Sequence, residues 1–400
     1  MMEIKGKYVT AIVHTDNVEQ AALEQIQQIV DCPAFEGQSV HYMPDVHAGM
    51  NCTVGFTAGL GEYVNPLHIG SDIGCMVSHM VLSKMIPVEK YADFEHKVRQ
   101  AIPHDIQKKP VIDERDFFKF LSKQFNRMKQ QWPEHLSDLP DTVTEKWISD
   151  QLKRLNMDKA MFYKQLGTYS SAVSNHFIEY GCNDEKVGIT VHCGSRNFGQ
   201  KVCRRWESIA QRSKQNLDGM SGYLSGNDLD GYLCDMCFAQ AYAEYNHRII
   251  HHLIGGILSK YSIKVREEIY CPHNYIDMNT HIIHKGSISA MTSETVVIPF
   301  NMRDGIAICK GKSNPDWNFS GPHGAGRIMS RNQAKKNISM DDYTATMKDV
   351  YSTSVCNETI DESPMAYKPT EEIKTLIADT VDILYMLPSK INIKATKPQK

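Results

Sequence analysis

Residues 41–77 read HYMPDVHAGMNCTVGFTAGLGEYVNPLHIGSDIGCMV. Short apolar pieces are broken there by Gly, Pro, Asn and Asp, the texture of strands joined by turns. Loops carried on a β scaffold are where sites are usually built. Asp72 and Cys75 stand in one such break, an Asp-x-x-Cys pair inside Gly-Ser-Asp-Ile-Gly-Cys-Met.

On the N-terminal side, residues 8–15 are rich in β-branched types and predict a strand. Asp16 lies three before Glu19, a capping-box-like start for an amphipathic helix over 18–30. On the C-terminal side, residues 86–166 are charged, rich in Lys and Gln, and helical in period. Phe117, Phe118, Leu121, Phe125 and Met128 mark the apolar face, with Pro133 and Pro140 as breaks. A second Gly- and His-rich β stretch is expected over 166–199, then a long helical pattern over 210–261 interrupted at 219–226. A third β stretch at 268–312 leads into a Gly/Arg/Ser loop at 320–331 and a mixed tail. No repeat, low-complexity tract or linker divides the chain. The expectation is an α+β fold, a single large domain with a β-rich catalytic core and a helical insertion at about 86–166.

The 400 residues are 42% hydrophobic and 23% charged, a soluble globular composition rather than a disordered one. No run approaches the ~18–20 apolar residues of a membrane helix. The first residues form neither an apolar signal core nor an Arg- and Ser-rich leader, so a cytoplasmic protein is expected. Eleven cysteines are too dilute for a disulfide scaffold and read as free thiols or metal ligands. With a net charge of −3, any nucleic-acid site must be a local patch.

Four histidines sit in small-residue β or loop contexts: His176, His192, His273 and His323. A thiolate can bridge two cations, imidazoles suit Mn, Zn or Fe, and a carboxylate suits harder metals. Cys75, Asp72 and three histidines therefore suffice for a two-metal site if the fold gathers them. His247 and His251 share a helix face, but the sequence His-Arg-Ile-Ile-His lacks the glutamate of a zinc-peptidase helix, so they and His252 read as packing or surface residues. Cys234-x-x-Cys237 lies in a helical run without a second pair and reads as packing. Two windows carry basic residues and no acid. One holds Arg196, Lys201, Arg204 and Arg205; the other holds Arg327, Arg331, Lys335 and Lys336. They point to a phosphorylated or nucleic-acid substrate, with Arg196 and Arg327 set in Gly/Ser loops where a guanidinium can present its fork to a phosphate.

Eight motifs then occur in one order: Met43-Pro-Asp-Val-His-Ala-Gly49, Ser71-Asp-Ile-Gly-Cys75, Asn175-His-Phe-Ile-Glu179, His192-Cys-Gly-Ser-Arg196, His273-Asn274, His284-Lys-Gly286, His323-Gly-Ala-Gly-Arg327 with Ser330-Arg331, and Asp361-Glu-Ser-Pro-Met-Ala-Tyr-Lys368. Together they resemble the RtcB family of RNA ligases over about residues 2–394. The resemblance implies joining of RNA ends that carry a 2′,3′-cyclic phosphate or 3′-phosphate to 5′-hydroxyl ends, with GTP as co-substrate and two Mn²⁺ ions. It implies Cys75 bridging the ions, with Asp72 and His176 completing one and His192 and His273 the other. His323 matches the histidine that takes GMP. Asn175 and Arg327 match residues near the nucleotide phosphate, Glu179 the one that reads guanine, Ala325 and Gly326 backbone near the ribose, and Tyr367 and Lys394 contacts at the base. Arg196, Lys285 and Arg331 match positions that hold RNA phosphates. A monomer is the family's expectation, and a protein activator serves some members.

Some positions depart from the family pattern. The segment 167–174 before Asn175 replaces a shorter glycine-rich turn; Met50-Asn51, Met76, Cys193 and His284 replace usual types, Arg being common at 284. These differences imply a diverged bacterial-type paralogue that favours a structured RNA such as a cleaved tRNA or rRNA. The alternatives are a dinuclear metal cyclic phosphodiesterase that does not seal and a non-ligating RNA-end-binding paralogue.

Overall fold

The computed structural model describes residues 1–50, 52–170, 174–213, 217 and 221–396. Along the chain, β1 (Met2–Lys5), β2 (Thr10–Val13), β3 (Val40–His47), β4 (Val54–Gly59) and β5 (Met76–Leu82) come first, with α1 (Gln20–Val30) among them. A run of helices follows: α2 (Tyr91–Ala101), α3 (Glu114–Gln131), α4 (Glu145–Arg154) and α5 (Lys159–Lys164). Then come β6 (Phe177–Cys182), β7 (Val187–Cys193), α6 (Arg196–Arg212) and α7 (Gly226–Ser259). The remaining strands are β8 (Val265–Pro272), β9 (Asn274–Asp277), β10 (Ile282–Lys285), β11 (Ser287–Ser289), β12 (Thr295–Asn301), β13 (Gly305–Gly311), β14 (Ser320–Pro322), β15 (Val381–Leu387) and β16 (Ser389–Ile393). The helix α8 (Arg331–Asn337) lies in the tail. The fold is α+β, as expected.

Two sheets build most of the frame. One has six strands in the order β1-β2-β3-β4-β10-β9, the other five in the order β16-β6-β7-β5-β8. The pair β11-β14 and the sheet β12-β13-β15 complete the β structure. Strand β7 is buried at every residue and β5 at all but one, so neither shows the alternation of a half-exposed strand. The long helix α7 packs against both. Twenty of its 34 residues are buried, the polar Asp235, Asn246, His247 and His251 among them. Phe117 and Phe125 of α3, Phe162 of α5, Phe198 of α6 and Phe238 and Tyr242 of α7 fall in one buried cluster, each contributing about 2–3 kcal/mol of apolar burial. The charged helical stretch thus shares the largest core.

Some local expectations shift. The helix begins at Gln20 with Glu19 as its uncapped N-cap, not in a capping box from Asp16. The Glu19 carboxylate is engaged elsewhere, accepting from the Ala48 amide at 2.8 Å, and so holds the loop after β3. The first strand in that region is confined to Thr10–Val13, and the β stretch expected to reach 199 ends at Cys193, because Arg196 opens α6. No helix among the described residues is long and apolar enough to cross a membrane.

Candidate active site and metal centre

The five-stranded sheet gathers its polar residues by register. Phe177 faces His192 across β6 and β7, Met76 faces Cys193 across β5 and β7, and Met76 faces Pro272 across β5 and β8. His176 just before β6, His192 near the end of β7, Cys75 just before β5 and His273 just after β8 are therefore delivered to one edge. Cys75 Sγ lies 3.3 Å from His192 Nε2 and 3.6 Å from His176 Nε2. His192 Nε2 lies 3.3 Å from His273 Nε2, and His176 Nε2 lies 3.1 Å from Asp72 Oδ2.

The backbone beneath is stapled. The Cys75 amide donates to the Asp72 carbonyl at 3.0 Å, and the His273 amide to the Cys75 carbonyl at 2.9 Å. Asn274 donates its side-chain amide to the Asp72 carbonyl at 3.2 Å and accepts from the Gly286 amide at 3.0 Å. A Cβ at residue 194 would fall 2.3 Å from Asp72 Oδ1, so only glycine leaves that carboxylate its place.

The donor set fits divalent metal. Cys75, His176 and His192 present ligand atoms within 4.8 Å of one another, with Asp72 and His273 one contact further on either side. Ligand atoms ~2.0–2.3 Å from a common ion in tetrahedral geometry stand roughly 3.3–3.8 Å apart, close to the 3.1–3.6 Å separations here. Burial, followed by repulsion from neighbouring histidines, keeps His192 and His273 well below the ordinary imidazole range and so neutral, the ligating form. Asp72 is pushed up by burial, but hydrogen bonding and charge from His176 win and hold it low. Burial, then the Asp72 charge, drives the Cys75 thiol well up, so its thiolate requires a cation. Asp72 Oδ1 is buried without a hydrogen-bond partner.

His323 follows β14, whose Pro322 pairs with Ser287 of β11. Its Nδ1 stands 2.7 Å from Asp45 Oδ2 on β3, and the Asp45 side chain is wholly buried. Nδ1–H donates to that carboxylate, which leaves the Nε2 lone pair free. The His323 ring centroid is 4.8 Å from that of His273, so this imidazole abuts the metal donors. Gly326, at φ 75°, brings its backbone against Asp45; a Cβ there would meet the Asp45 carbonyl oxygen at 2.4 Å. Lys368 donates to the carbonyls of Pro44 at 2.7 Å and Asn17 at 3.0 Å, placing its charge beside the buried Asp45.

Asp72, Cys75, His176, His192, His273, His323 and Gly326 line one cavity of about 900 Å³. At another part of its wall, Glu362 anchors a cluster of cations. Its carboxylate is 1% exposed, accepts from Lys394 at 2.7 Å, Tyr367 at 2.9 Å and Arg327 at 3.3 Å, and forms an ion pair with Arg331 at 2.7 Å. Burial alone would raise Glu362, but Lys394, Arg331 and Arg327 bring it down to about 2. Replacing Glu362 by Gln is expected to destabilise the protein by about 3 kcal/mol, since buried cations lose their counter-charge. A depressed carboxylate contributes stability above its unfolded value of ~4.5 and loses it as pH falls towards about 2. The variant should therefore lose less stability than wild type over that acid window, read by denaturant melts at each pH. Nearby, Asn392 donates to Glu179 Oε2 at 2.8 Å, while Glu179 Oε1 is buried without a partner. Burial raises Glu179 to about 8 against the opposing hydrogen bond from Asn392 and the charge of Lys394.

Residues 25–395 match the family described as tRNA-splicing ligase RtcB. The chain belongs to the RtcB family. Its relatives include the RNA-splicing ligase RtcB of Escherichia coli (strain K12), 29% identical over 404 residues that cover 94% of this chain and 95% of the relative. RNA-splicing ligase RtcB2 of another Escherichia coli strain, ATCC 25922, is 23% identical over 92% of each chain. The tRNA-splicing ligase RtcB of Archaeoglobus fulgidus is 22% identical over 90% of this chain and 88% of its own.

Of the positions singled out by the RtcB resemblance, Asp72, Cys75, Asn175, His176, Glu179, His192, His273, Lys285, His323, Ala325, Gly326, Arg327, Arg331, Tyr367 and Lys394 all line the cavity. Arg196 does not. Its backbone is left-handed, at φ 60°, and its guanidinium is buried on Thr168 Oγ1 at 3.1 Å, the His104 carbonyl at 3.1 Å and the Ser170 carbonyl. Lys201 and Arg205 of the same basic window also donate to carbonyls, of Asn156 and Arg154. The first acid-free window thus turns Arg196 inward and leaves Lys201 and Arg205 half-buried and Arg204 exposed, away from the cavity, whereas the second supplies Arg327 and Arg331 to it. Lys285 donates to the Leu67 carbonyl at 2.7 Å, and Arg331 is shared with Asp361 and Glu362.

His284, at the position where the family commonly has Arg, is buried and stacked on Tyr275 with ring centroids 4.8 Å apart, and burial takes it down to about 4. Asn51 and residues 171–173, in the unusual segments before Cys52 and Asn175, lie outside the described residues. Sequence reading quoted the motifs that contain Asp45 and Glu362 but gave neither a role, and it passed over Asn392. Cys234 and Cys237 are buried in α7 as packing residues, and His247 and His251 are interior.

Proposed function

We propose that this chain is a GTP- and Mn²⁺-dependent RNA ligase that seals 2′,3′-cyclic phosphate or 3′-phosphate ends to 5′-hydroxyl ends. The observation that carries the reading is the seating of His323 against both Asp45 and the Cys75/His cluster in one cavity. Asp45 holds the proton on Nδ1, so Nε2 can attack the α-phosphorus of GTP; a P–N bond forms and pyrophosphate leaves. Water opens a cyclic phosphate to the 3′-phosphate. An oxygen of that phosphate displaces His323 from the guanylyl phosphorus, giving an RNA end capped through a pyrophosphate to guanosine. The 5′-hydroxyl oxygen then attacks the RNA phosphorus, loses its proton, and releases GMP. Cys75, Asp72, His176, His192 and His273 would hold two ions, which when bound supply Lewis acidity towards phosphate oxygens. Arg327 and Asn175 would hold the nucleotide phosphate and Tyr367 and Lys394 its base. Lys285 and Arg331 would take RNA phosphates, Arg331 by exchange from its carboxylate partners.

The test is joining of a cyclic-phosphate RNA to a 5′-hydroxyl RNA with GTP and Mn²⁺. Hydrolysis of the cyclic phosphate without joining would instead identify a phosphodiesterase. Asp45→Asn should keep the fold but lose the enforced tautomer, slowing transfer of label from GTP to protein by about 100-fold. Glu179 supplies a pH test. Only its ionised carboxylate accepts both the N1–H and N2–H of guanine, and burial keeps it protonated until about pH 8. GTP affinity should therefore rise with pH up to that value, by at most about tenfold per unit, and level off above it. Calorimetric titration of the unreactive His323→Ala variant reads this directly, and adding Glu179→Gln should flatten the profile.

A further inference from the structure

Sealing leaves one proton without a destination: the 5′-hydroxyl must shed it as its oxygen attacks the RNA phosphorus. His323 faces the wrong side for that task. An in-line displacement brings the nucleophile in opposite the leaving group, and the leaving group is the guanylyl phosphate that His323 has just released. The cavity carboxylates outside the metal set are spent, Glu19 on the Ala48 amide, Glu362 on its cations and Glu179 on Asn392 and the base. Another group of the same wall must take the proton.

His47 ends β3 within the motif 43–49 and lines the cavity, yet the steps above give it no part. Its Nδ1 lies 2.8 Å from the Asp45 carbonyl oxygen. A carbonyl only accepts, so Nδ1 carries the proton and Nε2 keeps its lone pair. Among the described residues nothing bonds to Nε2, and the side chain is half-buried rather than sealed. Asp45 thus fixes the tautomer of two imidazoles, His323 through its carboxylate and His47 through its carbonyl.

The segment that carries His47 is braced from several elements. Lys368 donates to the Pro44 carbonyl at 2.7 Å and the Val46 carbonyl at 3.4 Å. Gln25 of α1 accepts from the Gly49 amide at 3.1 Å and donates to the Gly49 carbonyl at 2.7 Å, beside the bond from the Ala48 amide to Glu19. On β4, a Cβ at residue 55 would stand 3.0 Å from both Asp45 Oδ1 and Val46 Cα, so the two strands meet closely there. A ring held this firmly is pre-organised for proton transfer. Its surroundings also keep it neutral. Burial acts first to lower His47, the Asp45 bond and charge work the other way, and His323 and Arg327 add to the lowering.

We infer that His47 is the general base of the sealing step, its Nε2 taking the proton of the 5′-hydroxyl. The inference rests on the ligase reading above. The O–H bond breaks towards Nε2 as the 5′-oxygen forms its bond to the RNA phosphorus. The bond from that phosphorus to GMP breaks, GMP leaves with the electron pair, and the imidazolium afterwards gives its proton to water.

The step is isolated by supplying RNA already capped through a pyrophosphate to guanosine, with a 5′-hydroxyl RNA and saturating Mn²⁺ but no GTP, in a single turnover of the full chain. His47→Asn places an amide N–H where Nδ1–H stood, so it keeps the donor to the Asp45 carbonyl and lacks Nε2. It should take label from GTP within about threefold of wild type but seal at least about 100-fold more slowly at about pH 7. Between about pH 6.5 and 8.5 the ratio of variant to wild-type sealing rates should climb by about tenfold per unit. Hydroxide replaces the ring in the variant, whereas the wild-type ring is already neutral. Sealing by the variant at the wild-type rate overturns the proposal. So does a slow variant whose ratio to wild type is constant with pH, the behaviour of a residue that only supports the wall. A variant that takes no label is replaced by His47→Gln, and loss of labelling in both overturns a role confined to sealing. A wild-type protein that does not seal the capped RNA overturns the ligase reading itself.

Discussion

Incubated with α-labelled GTP and Mn²⁺, the His323→Ala protein should acquire no covalent label, with transfer at least about 10⁴-fold below wild type. The size of the effect follows from the geometry. Among the described residues lining the cavity, His323 is the imidazole oriented by a buried carboxylate, through Nδ1 at 2.7 Å from Asp45. His176, His192 and His273 are turned towards Cys75, Asp72 or one another, and metal binding would consume their lone pairs. His47 also lines the cavity, but its Nδ1 is bonded to the Asp45 carbonyl at 2.8 Å rather than to a carboxylate, so residual label in the variant would point to it. Metal binding should survive, because His323 lies at van der Waals reach of His273 but shares no hydrogen bond with the Cys75 cluster. A Co²⁺ titration of the variant checks that separation: intact metal binding with no guanylylation isolates the nucleophile, whereas retained labelling would move the covalent step to another residue.

The sequence disclosed the pieces of this site better than their assembly. Asp72, Cys75, His176, His192, His273 and His323 could be named because each stands in a short, distinctive motif. Their approach to one another depends on antiparallel registers that pair β5 with β7, more than about a hundred residues on, and with β8, nearly two hundred on, while β6 and β7 are neighbours in the chain. Nothing local in those motifs encodes that pairing. Glu362 illustrates what stays hidden. In Asp-Glu-Ser-Pro it reads as an ordinary loop acid, and its importance appears only when Arg327, Arg331 and Lys394 converge on it from other segments. Arg196 shows the reverse error. Beside Gly194 and Ser195 it resembles a phosphate-gripping loop arginine, yet a left-handed backbone at the entrance to α6 turns its guanidinium inward onto carbonyls. Acid-free basic windows mark available charge, and whether that charge reaches a ligand depends on which carbonyls the fold leaves unpaired.

Cys75→Ala is expected to be the most damaging change to metal binding. Residues that merely orient a ligand typically affect metal affinity by about 10–100-fold, so removing the shared ligand itself should exceed that range. Cys75 Sγ is central to the cluster, 3.3 Å from His192 and 3.6 Å from His176, whereas Asp72 and His273 each touch one flank. Loss of an outer ligand would leave the other flank intact; loss of the sulfur removes the donor common to both. The variant should remain folded without metal. In the metal-free protein the buried thiol is held neutral, its ionisation opposed by burial and by Asp72, and alanine sacrifices only a small side chain. Equilibrium melts without metal should therefore nearly coincide for wild type and variant, but Co²⁺ or Mn²⁺ should raise the melting temperature of wild type alone. Binding to wild type should also weaken on acidification, since the bound sulfur must shed a proton that the free protein retains. A Cys75→Ala protein stabilised by metal as strongly as wild type would show that the histidines and Asp72 suffice, and would remove the bridging role on which the two-ion arrangement depends.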